Sequence, residues 1–241
     1  MIQETITYRC RECNSPNIVK NGTNKCGSQQ YHCKDCGVYR VLKPKQPYSQ
    51  EKKETVLKAY LERPRLRGLE RTFGVARQTI AAWVSRHVQD LPDLSQTVQP
   101  AQPDDELELD EIWSFVQAKA QKRWLWTAIC RRTRQIVAFV IGDRSQQTGL
   151  RLWNKLPEDY KACQSFSDFW KAYHAFPEPH QQVDKASGET ALVENWNTRL
   201  RQRLGRYVRK TLSFSKSDAF HQMVTKWFIV DYNLSISSLT P

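Results

Sequence analysis

Two groups of residues are of a type and spacing that can do chemistry. Cys10 and Cys13 are followed by Cys33 and Cys36, each pair a Cys-x-x-Cys knuckle on a polar turn. Two thiolates on one knuckle can face a metal ion together, and two knuckles supply four sulfurs in a tetrahedron, a closed and structural Zn²⁺ site. The segment between them, IVKNGTNKCGSQQYHC, is too short and polar to make its own core, so metal binding would largely decide whether it folds. Cys26 and His32 lie near enough to replace one of the four. The second group is acidic. The run DDELELDE at 104–111 stands in an otherwise basic chain, and Asp110 falls well inside an apolar stretch that reads as a strand. A carboxylate there is costly unless paired, and Mg²⁺ or Mn²⁺ prefer carboxylate oxygen. Asp168, closing the run CQSFSD, and Glu194, early in a helical segment, can converge with Asp110 on one point of an α/β sheet. Two metal ions held there would activate water and stabilise a leaving 3′ oxygen. Asp184 and Glu189 are alternatives to Glu194 as third ligand, whereas Asp104, Asp105, Glu106 and Glu111 are expected to form a solvated entry to the strand.

Elements must hold these groups in place. LELDEIWSFV, RWLWTAICR and QIVAFVIG are apolar or alternating runs separated by basic turns, which predicts three successive strands. Asp110 then shares a face with Glu108, while Leu107, Leu109 and Trp113 take the other. A helix near 146–155, a strand ending at Asp168, a helical segment at 169–173, a strand around 181–185 and two long final helices complete the pattern. In the first of those helices Trp196, Leu200 and Leu204 form an apolar stripe, and Arg199, Arg203, Arg206 and Lys210 a basic one. Arg201 lies nearly over Glu194, within reach of a phosphate held at the metals, and Asn197 shares the Glu194 face and is placed to orient it. Seven basic residues and no acidic one occur from Arg199 to Lys216, which favours a phosphate-bearing partner.

Upstream, apolar residues between 50 and 90 recur at spacings of three and four, which predicts short helices. Residues 66–88 read as a helix, a turn at Gly74, and a second helix from near Ala76. That is a helix-turn-helix whose first turn presents Arg77, Gln78 and Thr79 to base edges, with Lys43, Lys45, Lys52, Lys53, Arg65, Arg67 and Arg71 adding phosphate contacts. Residues 92–106 hold three prolines, three glutamines and no sustained apolar period, and read as a linker. The expected organisation is a zinc ribbon at 1–45, an all-α helix-turn-helix at 46–91, the linker at 92–106, and an α/β domain with a mixed sheet at 107–241.

The chain has 241 residues, formal net charge +12 and seven cysteines. Such charge fits a polyanion, above all double-stranded DNA, better than a small acidic metabolite. An odd cysteine count with two knuckles argues for metal binding in a reducing compartment and against a disulfide framework. The N-terminus lacks the apolar core of a signal peptide and no run approaches a membrane span, so no membrane partner and a cytoplasmic, nucleoid-associated location are expected. No internal repeat suggests a solenoid.

The order of the two knuckles, the helix-turn-helix, LDEIW, SDFW and VENWNTRLRQRLGRYVRKTLSFSKS resembles the transposases of the insertion sequence 1 family. The most specific parts are the LDEIW strand and the long tail beginning Glu194-Asn195. The resemblance implies a ribonuclease H-like fold with a DDE site of Asp110, Asp168 and Glu194 and a basic position at Arg201. One departure is Asp168-Phe169-Trp170, where the family usually shows Asp-Gly-Trp. The activity so implied is binding of an element's terminal inverted repeats, metal-dependent cleavage and strand transfer into target DNA, by at least a dimer, since two ends must be paired. The competing reading is a transcriptional regulator with a zinc ribbon, a helix-turn-helix and a C-terminal oligomerisation domain.

Overall fold

The computed structural model describes residues 7–42, 47–63 and 65–237, and the chain divides into two compact units, residues 1–49 and 50–241. In the first, β1 (Ile18–Thr23), β2 (Gln29–Cys33) and β3 (Tyr39–Arg40) form an antiparallel sheet flanked by two cysteine-bearing turns. The turns are built alike. Asn14 and Gly37, each one residue past a second cysteine, take φ of 58° and 73° and donate their backbone N–H to the carbonyls of Cys10 and Cys33. Among the described residues of this unit only Cys10, Ser15 and Cys33 are buried, so no apolar core holds it.

The second unit is built on a five-stranded mixed sheet in the order β6-β5-β4-β7-β8. β4 (Glu106–Phe115), β5 (Lys122–Cys130) and β6 (Ile136–Gly142) run as an antiparallel meander, and β7 (Gln164–Ser167) and β8 (His180–Gln182) lie parallel beside β4. Helices cover both faces. On one side α4 (Gln146–Trp153), α5 (Glu158–Lys161) and a 3-10 turn at Lys171–Ala175 pack on Leu107, Leu109, Trp126 and Ala128. On the other, α6 (Ala191–Arg203) and α7 (Asp218–Ser237) pack on Ile112, Leu125 and Ile129. A central strand with both faces covered explains the near-continuous apolar runs.

The upstream helices are α1 (Gln50–Tyr60), α2 (Leu66–Phe73) and α3 (Arg77–Gln89). Gly74, at φ 65°, ends α2 in the left-handed conformation that glycine adopts most readily. Val56, Leu69, Ile80 and Val84 share one core with Leu200, Val224 and Phe228. Tyr60 stacks on Trp227 of α7 at 5.8 Å between centroids, and His87 meets the same indole edge-on at 4.8 Å. The connector 92–106 is fastened along its length. The Gln135 side chain accepts from the Gln99 amide and donates to the Thr97 carbonyl, Asp159 accepts from the Ala101 amide, and the Tyr160 hydroxyl donates to the Gln99 carbonyl.

The basic stripe expected to run on to Lys210 is broken, because α6 stops at Arg203. Leu204 leaves the helix at φ −112° and ψ 100°, and a 3-10 turn at Gly205–Tyr207 follows. Gly205 packs so close that a Cβ there would lie 3.3 Å from the Ser213 Cβ. Arg206 is buried as a result. Among the described residues no helix is long and apolar enough to cross a membrane.

Candidate active site

Three elements bring carboxylates to one cleft. β4 carries Asp110 at its middle, the end of β7 delivers Asp168, and the first turn of α6 carries Glu194. All three line a cavity of about 740 Å³ together with Asn197 and Arg201, and Lys119, Lys185, Arg209 and Lys210 stand around it. Oxygens of Asp110, Asp168 and Glu111 lie within 4.8 Å of one another, while Glu194 borders the same cleft outside that group and is exposed.

The two aspartates are oriented by hydrogen bonds. Asp110 Oδ1 accepts from the Glu111 amide at 2.8 Å and Oδ2 from Asn197 Nδ2 at 2.8 Å, and Asp168 Oδ1 accepts from the Trp170 amide at 2.9 Å. Asn197 therefore holds Asp110, not Glu194 as its place on the helix face suggested. Its Oδ1 is buried with no hydrogen-bond partner among the described residues. Burial, with the charges of Asp168 and Glu194, pushes the Asp110 carboxyl up to about 6 against the pull of its two donors. An all-oxygen set of crowded carboxylates beside an orphaned acceptor fits a hard divalent cation, which supplies the missing counter-charge.

The acids around Asp110 depart from the expected solvated entry. Glu111 is buried, accepts from Arg144 at 2.7 Å and from the Tyr173 hydroxyl at 2.9 Å, and burial pushes it up to about 7. Arg144 lies between two indoles, 4.6 Å from the Trp124 ring and 3.8 Å from that of Trp170, the residue whose amide holds Asp168. Asp105 is buried against Arg132 at 2.6 Å, and Arg131 ties together Glu106, Glu108 and Glu189. Of that group only Asp104 is exposed. Glu108 also accepts from the Val193 amide at 2.9 Å, so a sheet carboxylate caps the helix that carries Glu194, where the N-cap Thr190 offers no side-chain bond. Glu189 is committed to Arg131, and Asp184 accepts from the Ala186 amide in its own turn.

The sequence over 106–234 matches the family model described as IS1 transposase, slightly more than half of the chain. The chain belongs to the IS1 transposase family. It is 36% identical over 123 residues to the insertion element iso-IS1n protein InsB of Shigella dysenteriae, covering 51% of this chain and 92% of that protein. With the insertion element IS1 protein InsB of Shigella flexneri it shares 38% over 117 residues, 48% of this chain and 88% of the other. With the insertion element IS1 4 protein InsB of Escherichia coli (strain K12) it shares 37% over 117 residues, 48% and 69% respectively.

The basic residues of this IS1-family chain fall into separate places. Arg201 faces the carboxylates with its Nε buried and unpartnered, and burial lowers its pKa. Lys210 joins it in the cleft. Arg199 lies over Tyr232 at 5.4 Å and Arg203 over Phe228 at 5.6 Å, the latter also paired with Glu62. Arg206, read as part of a DNA-facing stripe, is 8% exposed and bonds the Tyr60 hydroxyl and Ser215, so it works as an internal strut. Arg77 and Gln78 are exposed at the start of α3, Thr79 is half-buried beside them, and Lys52 and Lys53 lie on α1. Lys43 and Lys45 lie outside the described residues.

In the first unit the four sulfurs come together as their spacing suggests, with Cys10 to Cys36 at 3.6 Å and Cys13 to Cys33 at 3.5 Å. Tetrahedral Zn–S bonds of about 2.3 Å place sulfurs about 3.8 Å apart, so the cluster is compatible with zinc. The amides of Cys13 and Glu12 pull the Cys10 thiol down to about 6, while burial and the neighbouring sulfurs push Cys13 and Cys36 up, as expected of thiols crowded together without a counter-charge. His32 stacks on Tyr39 at 4.3 Å and Cys26 is exposed outside the cluster, so neither joins it.

Sequence reasoning missed Glu111, Arg144, Trp170 and Tyr173 as one assembly. The available signal was Glu111 itself, an acid inside a strand whose neighbours predict burial.

Proposed function

We propose that this chain is a DNA transposase that binds the terminal inverted repeats of its element, cleaves there and transfers the freed strand to target DNA. The observation that carries the reading is the meeting of Asp110, Asp168 and Glu194 in one cleft bordered by Arg201, Arg209 and Lys210 within a family of transposases. The order and mixed direction of the sheet support a ribonuclease H-like domain at 107–241. The ribbon at 1–45 with zinc on Cys10, Cys13, Cys33 and Cys36, and the helix-turn-helix at 46–91 with Arg77, Gln78 and Thr79, serve as the DNA-reading modules.

In this reading Asp110, Asp168 and Glu194 hold Mg²⁺ or Mn²⁺, with Asn197 fixing Asp110. When bound, the divalent ions activate the attacking hydroxyl and offset charge on the leaving 3′ oxygen. Arg201, Arg209 and Lys210, which border the cleft, draw the scissile phosphate to the acids. Pairing two element ends calls for a homodimer or larger assembly on DNA.

The test is cleavage and joining of labelled DNA carrying the element's terminal repeats with Mg²⁺ or Mn²⁺. Wild type should nick and join, while Asp110→Ala and Glu194→Ala bind and do neither. A wild type that binds and never cuts would return the chain to the regulator reading.

A further inference from the structure

A second cavity, of about 750 Å³, lies between the start of α3 and the loop that follows α6. Its floor is apolar, from Leu66, Ala81, Phe214 and Phe220. Around it stand Arg63, Arg65, Arg67, Arg77 and Lys216; among the described residues no acidic side chain lines it or forms an ion pair with these five, and Glu70 meets only the Arg77 backbone amide, at 3.3 Å. The walls are tied to one another. The Arg63 amide donates to the Arg203 carbonyl at 2.7 Å, and buried Arg206 reaches Tyr60 at 2.7 Å and lies over the Phe220 ring at 5.6 Å.

One loop separates this cavity from the carboxylate cleft. Its residues Arg209 and Lys210 line the cleft, and Leu212 and Lys216 line the cavity. Leu212 is 77% exposed, more than any other large apolar side chain among the described residues. An apolar side chain held out from a basic loop is the form of a wedge that enters a base step and unstacks it. An apolar floor with an arginine rim is the form of a pocket for a base removed from its stack, the rings meeting aromatic faces and the phosphates meeting guanidinium groups. Contacts to an intact duplex backbone would need the arginines but not the floor. A second copy of this chain, at net charge +12, would bring further positive charge to the rim.

We infer that Leu212 is a wedge that parts the terminal base steps of the element end, and that the cavity takes one unstacked nucleotide of that DNA as the strand crosses the loop toward Asp110. The inference rests on the transposase reading and adds to it a step of local strand opening. The stacking lost when the end opens is offset by stacking of the freed base in the cavity.

The test places 2-aminopurine, which fluoresces when unstacked, at successive terminal positions of a duplex carrying the element's repeat. With protein saturating by gel shift, wild type should raise the fluorescence several-fold at one position. Leu212→Ala should lose most of that rise and cleave intact ends poorly, yet recover cleavage on an end made with an abasic or mismatched site at that position. Leu212 is exposed, so this variant should keep its melting temperature. Wild-type binding without a fluorescence rise, or an equal rise with Leu212→Ala, overturns the inference and leaves the transposase reading intact. Failure of wild type to bind the duplex at all overturns both. A concentration-dependent dimer that Leu212→Ala dissolves, with no unstacking, assigns the cavity to a second copy and overturns the inference.

Discussion

At the residue scale the chemistry turns on how single polar atoms are held. Asn197 is the sole side-chain donor to Asp110 among the described contacts, and its other polar atom is left without a partner. Asn197→Ala should therefore lower cleavage about 10–100-fold, the usual cost of removing a group that orients a metal ligand. Part of that loss should be recovered at higher Mn²⁺, which a metal titration of rate would show; a loss indifferent to metal concentration would mean that Asn197 does not act through Asp110. His221 presents a different case. It is fully buried between Ser114 and Ser215, and burial, with Arg206 nearby, pushes it down to about 3. The unfolded chain takes up a proton below its ordinary value near 6.5 and the folded chain does not, so stability is complete above that pH and falls as pH drops toward 3. Between pH 6.5 and 5 this one group should cost about 2 kcal/mol. Denaturant titrations at the two pH values should show that wild type loses more than His221→Gln by that margin.

At the element scale the site depends on a β4 strand covered on both faces and on a loop locked against it. Arg144 joins the two, pinned to Glu111 and stacked between Trp124 and Trp170, whose amide in turn holds Asp168. Arg144→Ala leaves a buried carboxylate next to Asp110 without its counter-charge. The cost should be about 3 kcal/mol, the low end for breaking a buried pair, because the arginine keeps about a third of its side chain in water. Cleavage should fall more than it does in Arg144→Lys, which keeps the charge and loses the planar stacking. Comparing denaturation midpoints and rates of the two variants separates these contributions. The strands were legible because their runs are apolar and bounded by basic turns, and the turn at Gly74 because few residues other than glycine accept its backbone conformation. The burial of Glu111 and Asp105 was not, since it depends on Arg144 and Arg132 arriving from other strands' ends. Arg206 was unreadable for the same reason. Its partner Tyr60 is 146 residues away, and without it a helical stripe was the natural reading.

At the scale of the molecule the two units are held by different means. Residues 1–49 have their described buried positions at two cysteines and a serine, whereas 50–241 share continuous apolar cores. A chelator should therefore abolish structure in the first unit and leave the melting transition of the second in place. Zinc analysis before and after, alongside limited proteolysis, should show a single equivalent lost together with protection of 1–49. If the ribbon stays protected after the metal is gone, the four thiolates do not govern its folding.

The packing of α1–α3 on α7 also bears on the order of events during synthesis. Val56, Ile80 and Val84 leave the ribosome long before Trp227 and Phe228, the surface on which they are buried. The helix that presents Arg77 and Gln78 is translated early and completed late, since α1 and α2 cover part of its apolar face and the rest waits for α7. A polypeptide stopped ahead of residue 218 would carry α1, α2 and α3 whole and lack the α7 side chains that complete their core, so these helices reach their final packing only once Trp227 and Phe228 have been made.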